Sequence, residues 1–314
     1  MLPRIAILGG TGHLAKSLVD TNAQLGKWSI DLYVRDKPRA EAFIKRYASV
    51  EPAIEVLPID SFNQDSRCDA LVNCIGFGTP AGVSAAKSNL FSVTQLYDRL
   101  IDVFVQKQSH IPVVSFSSGA IYGSQLAGPI QDGHVAQLPI DPIDPVDFYR
   151  ITKLASEAYH RSLFDKSIVD IRLFNFFSEF IDLTTGFLVA DIASALLTDS
   201  SFVTNRTDVA RDFFHPTDLY RLVDGVIRTG NLNAAIDAIS LEPITKLDLI
   251  GRCQREYGLK VAFQENSFDS PTGIKSYYYS QGFEKNKIID FSPKFTSWDS
   301  IKLSLDKLLS HRKT

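Results

Sequence analysis

The segment RIAILGGTGHLAKSLV, residues 4–19, constrains the fold more than any other stretch of this chain. An apolar, β-branched run leads straight into glycines at 9, 10 and 12, and a helix-like stretch follows with Ala15 in its first turn. That order lets a loop turn sharply at a strand end, lets backbone approach a ligand where no Cβ intervenes, and aims a helix N-terminus at it. It is the arrangement that receives the pyrophosphate of a dinucleotide, and Ala15 is small enough for helix and strand to pack closely. Further apolar runs follow at IDLYVRD (30–36), IEVLPID (54–60), DALVNCIG (69–76), VVSFSS (113–118) and VDIRLFNFF (169–177), with helix-like segments between them. The alternation predicts a parallel sheet covered by helices on both faces.

The end of the second run bears on cofactor choice. A carboxylate there accepts a hydrogen bond from the ribose 2′-hydroxyl of NAD, whereas an arginine suits the 2′-phosphate of NADP. The chain carries Arg35 and then Asp36, so NADP is favoured and NAD stays open through a shift of one residue.

Bulk properties exclude several classes. The chain has 314 residues, is 45% hydrophobic and 22% charged, and carries a formal charge of −3. This is a globular composition long enough for one large domain and a smaller lobe, without a field that would attract nucleic acid or anionic lipid. Cys68, Cys74 and Cys253 lack metal-ligand spacing and read as core thiols of a reducing compartment. No metal is implied. No run approaches the ~18 apolar residues of a membrane span, so the expected location is the cytoplasm.

The stretch PVDFYRITKLASE, 145–157, places Tyr149 and Lys153 four residues apart. In a helix such positions share a face one turn apart and can serve one site. Pro145 and Asp147 suit a helix entry, and Leu154, Ala155, Ala158 and Leu163 form an apolar side.

Taken with SFSSGAIYG at 115–123 and the GGTG loop, the Tyr-x-x-x-Lys pair resembles the extended short-chain dehydrogenase/reductase family, especially its nucleotide-sugar epimerase, dehydratase and reductase branch. Asn89 in KSNLFSVTQL, RLFNFF at 172–177 and ARDFFHPTDL at 210–219 extend the likeness over residues 4 to 240. The resemblance implies a Rossmann-type doubly wound parallel sheet in residues 1–178. It also implies a smaller C-terminal substrate-binding lobe in 179–314, with the chain crossing between the two. It makes Ser118, Tyr149 and Lys153 the catalytic residues. Lys153 would tune the Tyr149 phenol, which exchanges a proton with the substrate oxygen that Ser118 hydrogen-bonds; Ser117 is the neighbour that could replace Ser118.

Gly9, Gly12, His13, Leu14, Arg35, Asp60 and Gly76, together with Tyr149 and Lys153, would hold the cofactor. Thr79, Ser118, Asn175 and Arg211 would hold the substrate, Arg211 by clamping a diphosphate. Asp212 and Asp218 would brace their segment, and His215 would be structural. The implied partner is a nucleotide sugar, and a homodimer is among the assemblies the family allows.

Departures from the family pattern are equally specific. FFSE at 176–179 stands where sugar-active relatives have an aromatic-Gly-Pro, and SPTGIKSYYYS at 270–280 lacks their Arg-x-Gly-Asp. GFGTPAG at 76–82 is unusually rich in glycine, with Phe77, Gly78 and Thr79 as candidate pocket residues. Gly119 and Ala120 occupy the places of the Asp-Glu pair that dehydratases use for elimination, which disfavours that reaction. Three readings follow: an NADP-dependent reductase or epimerase of a nucleotide sugar, a reductase of a small non-nucleotide carbonyl compound, and a non-catalytic dinucleotide sensor. The catalytic trio argues against the sensor, and Arg211 separates the first two.

Overall fold

In the computed structural model each of the six apolar runs becomes a strand of one parallel sheet: β1 Arg4–Leu8, β2 Ser29–Val34, β3 Ile54–Pro58, β4 Ala70–Asn73, β5 Val113–Ser118 and β6 Ile168–Leu173. The structure describes residues 1–47, 53–76, 88–123, 126, 128–138, 143, 147–265, 276–282 and 284–310. Central strands are buried along almost their whole length, since helices cover both faces: α1 His13–Leu25, α2 Lys37–Tyr47, α3 Ser88–Lys107 and α4 Phe148–Ser162.

Beyond β6 the chain makes β7 Asn175–Phe176, α5 Leu188–Thr198, β8 Ser201–Thr204, β9 Ala210–Arg211, β10 Phe213–Phe214, α6 Pro216–Thr229 and β11 Ala234–Ala238. It ends with β12 Ile244–Thr245, α7 Lys246–Tyr257, β13 Lys260–Phe263, β14 Tyr277–Tyr278 and α8 Ser297–Ser310. β11 joins the main sheet beside β6, giving the order β3-β2-β1-β4-β5-β6-β11. The chain builds outward from β1 to β3, then crosses back to β4 and builds the other way. Strand order therefore reverses between β1 and β4, and the crevice beyond their C-terminal ends is where an open parallel sheet receives its ligand.

Two apolar cores stand out. One joins the sheet to α1 and α6, where Trp28 stacks on Tyr220 at 4.0 Å and Tyr220 donates to Asn22 at 2.7 Å. The other gathers Phe177, Ile192, Phe213, Leu249, Trp298 and Ile301 from the later elements. The strand β11 lies outside the six apolar runs, and residues 214–238 return to the first core.

Helix α4 is built with inverted polarity. Its inward residues are Arg150, Thr152, Ser156, Glu157 and His160, whereas Leu154, Ala155 and Ala158 face outward. Of the expected apolar side only Leu163 packs on the core, while Leu154, Ala155 and Ala158 are exposed. The buried polar groups are matched instead: Ser156 donates to Asp98 of α3 at 2.7 Å, and Arg172 of β6 pairs with Glu157 at 2.6 Å.

Candidate active site

The glycine loop lies at the switch point. The Gly9 and Gly10 N–H groups both donate to the Tyr33 carbonyl, at 3.1 and 3.2 Å, and Gly12 N–H donates to Gly9 at 2.9 Å. Gly9 has φ +80°, and a Cβ on it would stand 2.8 Å from the Ile75 side chain; on Gly10 it would stand 2.4 Å from Leu32. Only glycine fits this close approach of three strand ends. Gly12 is the N-cap of α1, so the helix begins with backbone N–H groups and a partial positive charge that suit a pyrophosphate. Leu14 is half-buried against the core.

His13 turns toward the later half of the chain. Its Nε2 lies 2.7 Å from Ser178 Oγ, its ring is 5.0 Å from that of Phe176, and Ser17 Oγ lies 2.8 Å from the same serine. Burial lowers the His13 pKa to about 4, with Lys16 adding to the effect, so the ring is neutral at physiological pH. Ser178 belongs to the FFSE departure, whose serine thus ties α1 to the segment after β7.

At the end of β2, Arg35 is exposed, while Asp36 accepts a hydrogen bond from the Arg39 N–H at 3.0 Å and caps α2. Asp60 is exposed in a 3-10 turn, Ile59–Ser61, after β3. Thr79, with Phe77 and Gly78, lies outside the described residues. Asn89 is exposed in the first turn of α3.

Tyr149 and Lys153 sit in the first two turns of α4 and line one cleft with Asn73, Gly76 and Ser115. Lys153 Nζ donates to the Phe116 carbonyl at 2.8 Å and lies 5.9 Å from the centre of the Tyr149 ring. A Cβ on Gly76 would come within 3.4 Å of Nζ. The two adjacent serines at the end of β5 have different partners. Ser117 Oγ donates to Glu157 at 2.5 Å, whereas Ser118 Oγ accepts from Ala120 N–H at 3.1 Å and lies 3.3 Å from the Tyr278 hydroxyl.

Arg211, on β9, is half-buried beside β14, where Tyr278 stands opposite it in register. Its guanidinium carbon is 5.8 Å from the Tyr278 ring centre, and Nη1 donates to the Ala210 carbonyl at 2.9 Å. Burial pulls the Arg211 pKa down to about 10, with Tyr278 opposing, and leaves it a cation at neutral pH. Asn175 donates its amide to the Asp212 carbonyl at 2.9 Å, which ties β7 to the residue between β9 and β10. Asp212 accepts from Ser240 N–H and Ser297, Asp218 accepts from Lys294 N–H at 2.8 Å, and His215 caps α6 and stacks on Phe295 at 3.7 Å. These three residues brace the C-terminal segment.

Tyr278, which lies against both Ser118 and Arg211, was not among the residues singled out in the sequence. Its signal was the run SYYYS: in an extended segment alternate side chains face opposite sides, and of Tyr277, Tyr278 and Tyr279 the middle one alone is buried. Burial raises its pKa.

The model of the NAD dependent epimerase/dehydratase family matches residues 5–237, from the first strand through the seventh. The chain belongs to this family. Solved structures agree in fold along the whole chain of this family member. A UDP-glucose 4-epimerase from Stenotrophomonas maltophila, with bound NAD and formylated UDP-arabinopyranose, is 16% identical with a TM-score of 0.80, covering 99% of each chain. The dTDP-glucose 4,6-dehydratase of Bacillus anthracis in complex with NAD is 14% identical with a TM-score of 0.78, covering 99% of this chain and 98% of that one. The UDP-glucuronic acid 4-epimerase of Bacillus cereus, in complex with UDP-glucuronic acid and NAD, is 14% identical with a TM-score of 0.76, covering 98% and 99%. No curated protein matches the chain in sequence. Among the described residues no helix is long and apolar enough to cross a membrane.

Proposed function

We propose that this family member is an NAD(P)-dependent enzyme that oxidises or reduces a nucleotide-activated sugar, as a reductase or an epimerase. The observation that carries the reading is the placement of Tyr149 and Lys153 one turn apart in a cleft at the strand-order switch; Ser118 and Arg211 for their part meet at Tyr278. The glycine loop, the α1 N-terminus and the cleft lined by Gly76 fit a nicotinamide dinucleotide, which when bound supplies the hydride acceptor and donor. Tyr149 takes the proton of a sugar hydroxyl as its carbon is oxidised and returns it when the ketone is reduced. Lys153, fixed by the Phe116 carbonyl, keeps its ammonium beside that phenol through the cycle. Ser118 steadies the reacting oxygen, and Arg211 supplies a fork of donors for a diphosphate, with the elements after residue 179 other than 214–238, which pack on the sheet, enclosing the sugar nucleotide.

Elimination is disfavoured on steric grounds. A Cβ on Gly119 would stand 2.4 Å from the Phe174 ring, so the acid that a dehydratase places after its hydroxyl residue has no room. NADP is the favoured cofactor, because Asp36 is committed to capping α2 while Arg35 is exposed where a 2′-phosphate would lie; the NAD seen in the similar structures makes NAD the alternative. The free and largely buried cysteines fit a cytoplasmic location. A homodimer through the apolar outer faces of α3 and α4 completes the proposal.

The test is incubation with a panel of nucleotide sugars and their 4-keto forms, each with NAD⁺, NADP⁺, NADH and NADPH, followed by NMR. Net cofactor oxidation identifies a reductase, and an isomer without it an epimerase. For Arg211→Ala, loss of a charge-assisted contact of about 1.5–3 kcal/mol should weaken sugar-nucleotide binding roughly ten- to hundredfold, with cofactor affinity unchanged. If no common nucleoside diphosphate competes at millimolar concentration, the reading gives way to a reductase of small carbonyl compounds.

A further inference from the structure

We infer that Tyr278 is a positioning residue that holds Ser118 as a hydrogen-bond donor toward the reacting substrate oxygen. The inference rests on the proposed chemistry of this site and adds a residue to it. A serine hydroxyl has one O–H to give and two lone pairs to receive. One lone pair of Ser118 Oγ accepts from the Ala120 N–H at 3.1 Å. The Tyr278 hydroxyl lies 3.3 Å away. If Tyr278 donates, both lone pairs are occupied, and the only group Ser118 can offer a third partner is its own O–H. A substrate oxygen that gains negative charge as hydride reaches its carbon needs a donor at that point.

The direction of the Ser118–Tyr278 bond follows from acidity and surroundings. A phenol is a far stronger acid than a serine hydroxyl, so of the two it is the better donor. The Arg211 cation, 5.8 Å from the ring centre, draws electron density from the phenol and strengthens that bias. Hydrogen bonds in series polarise one another, so donation from Tyr278 also makes the Ser118 O–H a better donor.

The placement of Tyr278 is fixed from several sides. β14 pairs with β9 on one edge, and on the other the Ile130 N–H donates to Tyr279 at 3.0 Å while the Gln281 N–H donates to Ile130 at 2.7 Å. The ring packs edge-on to Phe174 at 5.2 Å, with Leu126 and Ile130 completing an apolar socket. A side chain held this way loses little further freedom when substrate arrives.

The experiment is a double-mutant cycle on the sugar nucleotide that the parent enzyme turns over, comparing parent, Tyr278→Phe, Ser118→Ala and the double variant. Tyr278→Phe keeps the ring and removes one oxygen. It should lower kcat about tenfold with KM within about twofold, and melting temperature and cofactor affinity should match the parent. In the Ser118→Ala background the same change should have no further effect, because the residue through which Tyr278 acts is gone. Parent-like kcat in Tyr278→Phe, a change confined to KM, or losses that multiply in the double variant would each overturn the inference while leaving the proposed function intact. Should Tyr278→Phe fold poorly, difluorotyrosine at 278 keeps the shape and ionises at lower pH. Its kcat should then fall at lower pH than in the parent, and an unchanged pH profile would count against donation. A parent enzyme inert on every sugar nucleotide would remove the proposed function and this inference together.

Discussion

The phenolic oxygen of Tyr149 is the atom on which the proposed chemistry turns. Tyr149→Phe deletes it and little else, because the ring lines the cleft whether or not it carries a hydroxyl. Proton transfer by a placed side chain contributes about 10²- to 10⁴-fold to rate, so turnover should fall by at least about a hundredfold while cofactor binding, followed by fluorescence titration, stays unchanged. Near-parent turnover would remove Tyr149 from the mechanism. That Tyr149 and Lys153 would share one cleft was legible in the sequence because a helix converts a spacing of four into a shared face, and the glycine loop because few residues tolerate its geometry. Tyr278 was not legible in the same way. Its contact with Ser118 depends on the pairing of β14 with β9 and on the bridge to Ile130, none of which a local pattern encodes.

Helix α4 shows what a sequence pattern leaves open at the scale of an element. Its position and length followed from the entry residues and the Tyr-x-x-x-Lys spacing, but the side turned inward did not follow from hydrophobicity, because the buried side is polar. His160 is the sharpest case: fully buried, its Nδ1 lies 2.9 Å from Asp170 and its Nε2 is 3.6 Å from Asp98. Burial alone would lower its pKa, but the two carboxylates outweigh it and raise the pKa to about 9. Between about 6.5 and 9 the folded protein therefore holds a proton that the unfolded chain has released. The stabilisation is complete below about pH 6.5 and is lost as pH rises through 9, an effect on the order of 3 kcal/mol. His160→Asn should be less stable than the parent at pH 6.5, and its denaturant-unfolding free energy should be nearly flat up to pH 9, where the parent's declines. A parent curve with no decline over that range would show that His160 is not held as the cation.

For the whole molecule, six of the seven sheet strands were legible because each lies in a run rich in β-branched and large apolar residues bounded by breaks. The seventh, AAIDA, is as long as β1 and β3, but three of its five residues are alanines and it carries Asp237, which looks out of place until the Tyr122 hydroxyl is seen donating to it at 2.9 Å. The same reasoning, that a misplaced polarity marks a partner, applies to the outer surface. Leu96 is 60% exposed and Val103 48% exposed one heptad apart on α3, and Leu154 is 43% exposed on the adjoining α4, whose polar residues are turned inward. An exposed apolar stripe across two packed helices fits a second copy of the chain related by a twofold axis, so that every substitution in the interface acts twice. Leu154→Glu would forgo roughly 2 kcal/mol of apolar burial and place an unpaired carboxylate in each half of the contact. The parent should sediment as a dimer at micromolar concentration and the variant as a monomer, the dissociation constant rising at least about a hundredfold. Because the substitution lies on solvent-facing helix surface, the variant's melting curve and cofactor affinity as a monomer should show an intact fold. A parent that sediments as a monomer would leave the inverted helix without this explanation.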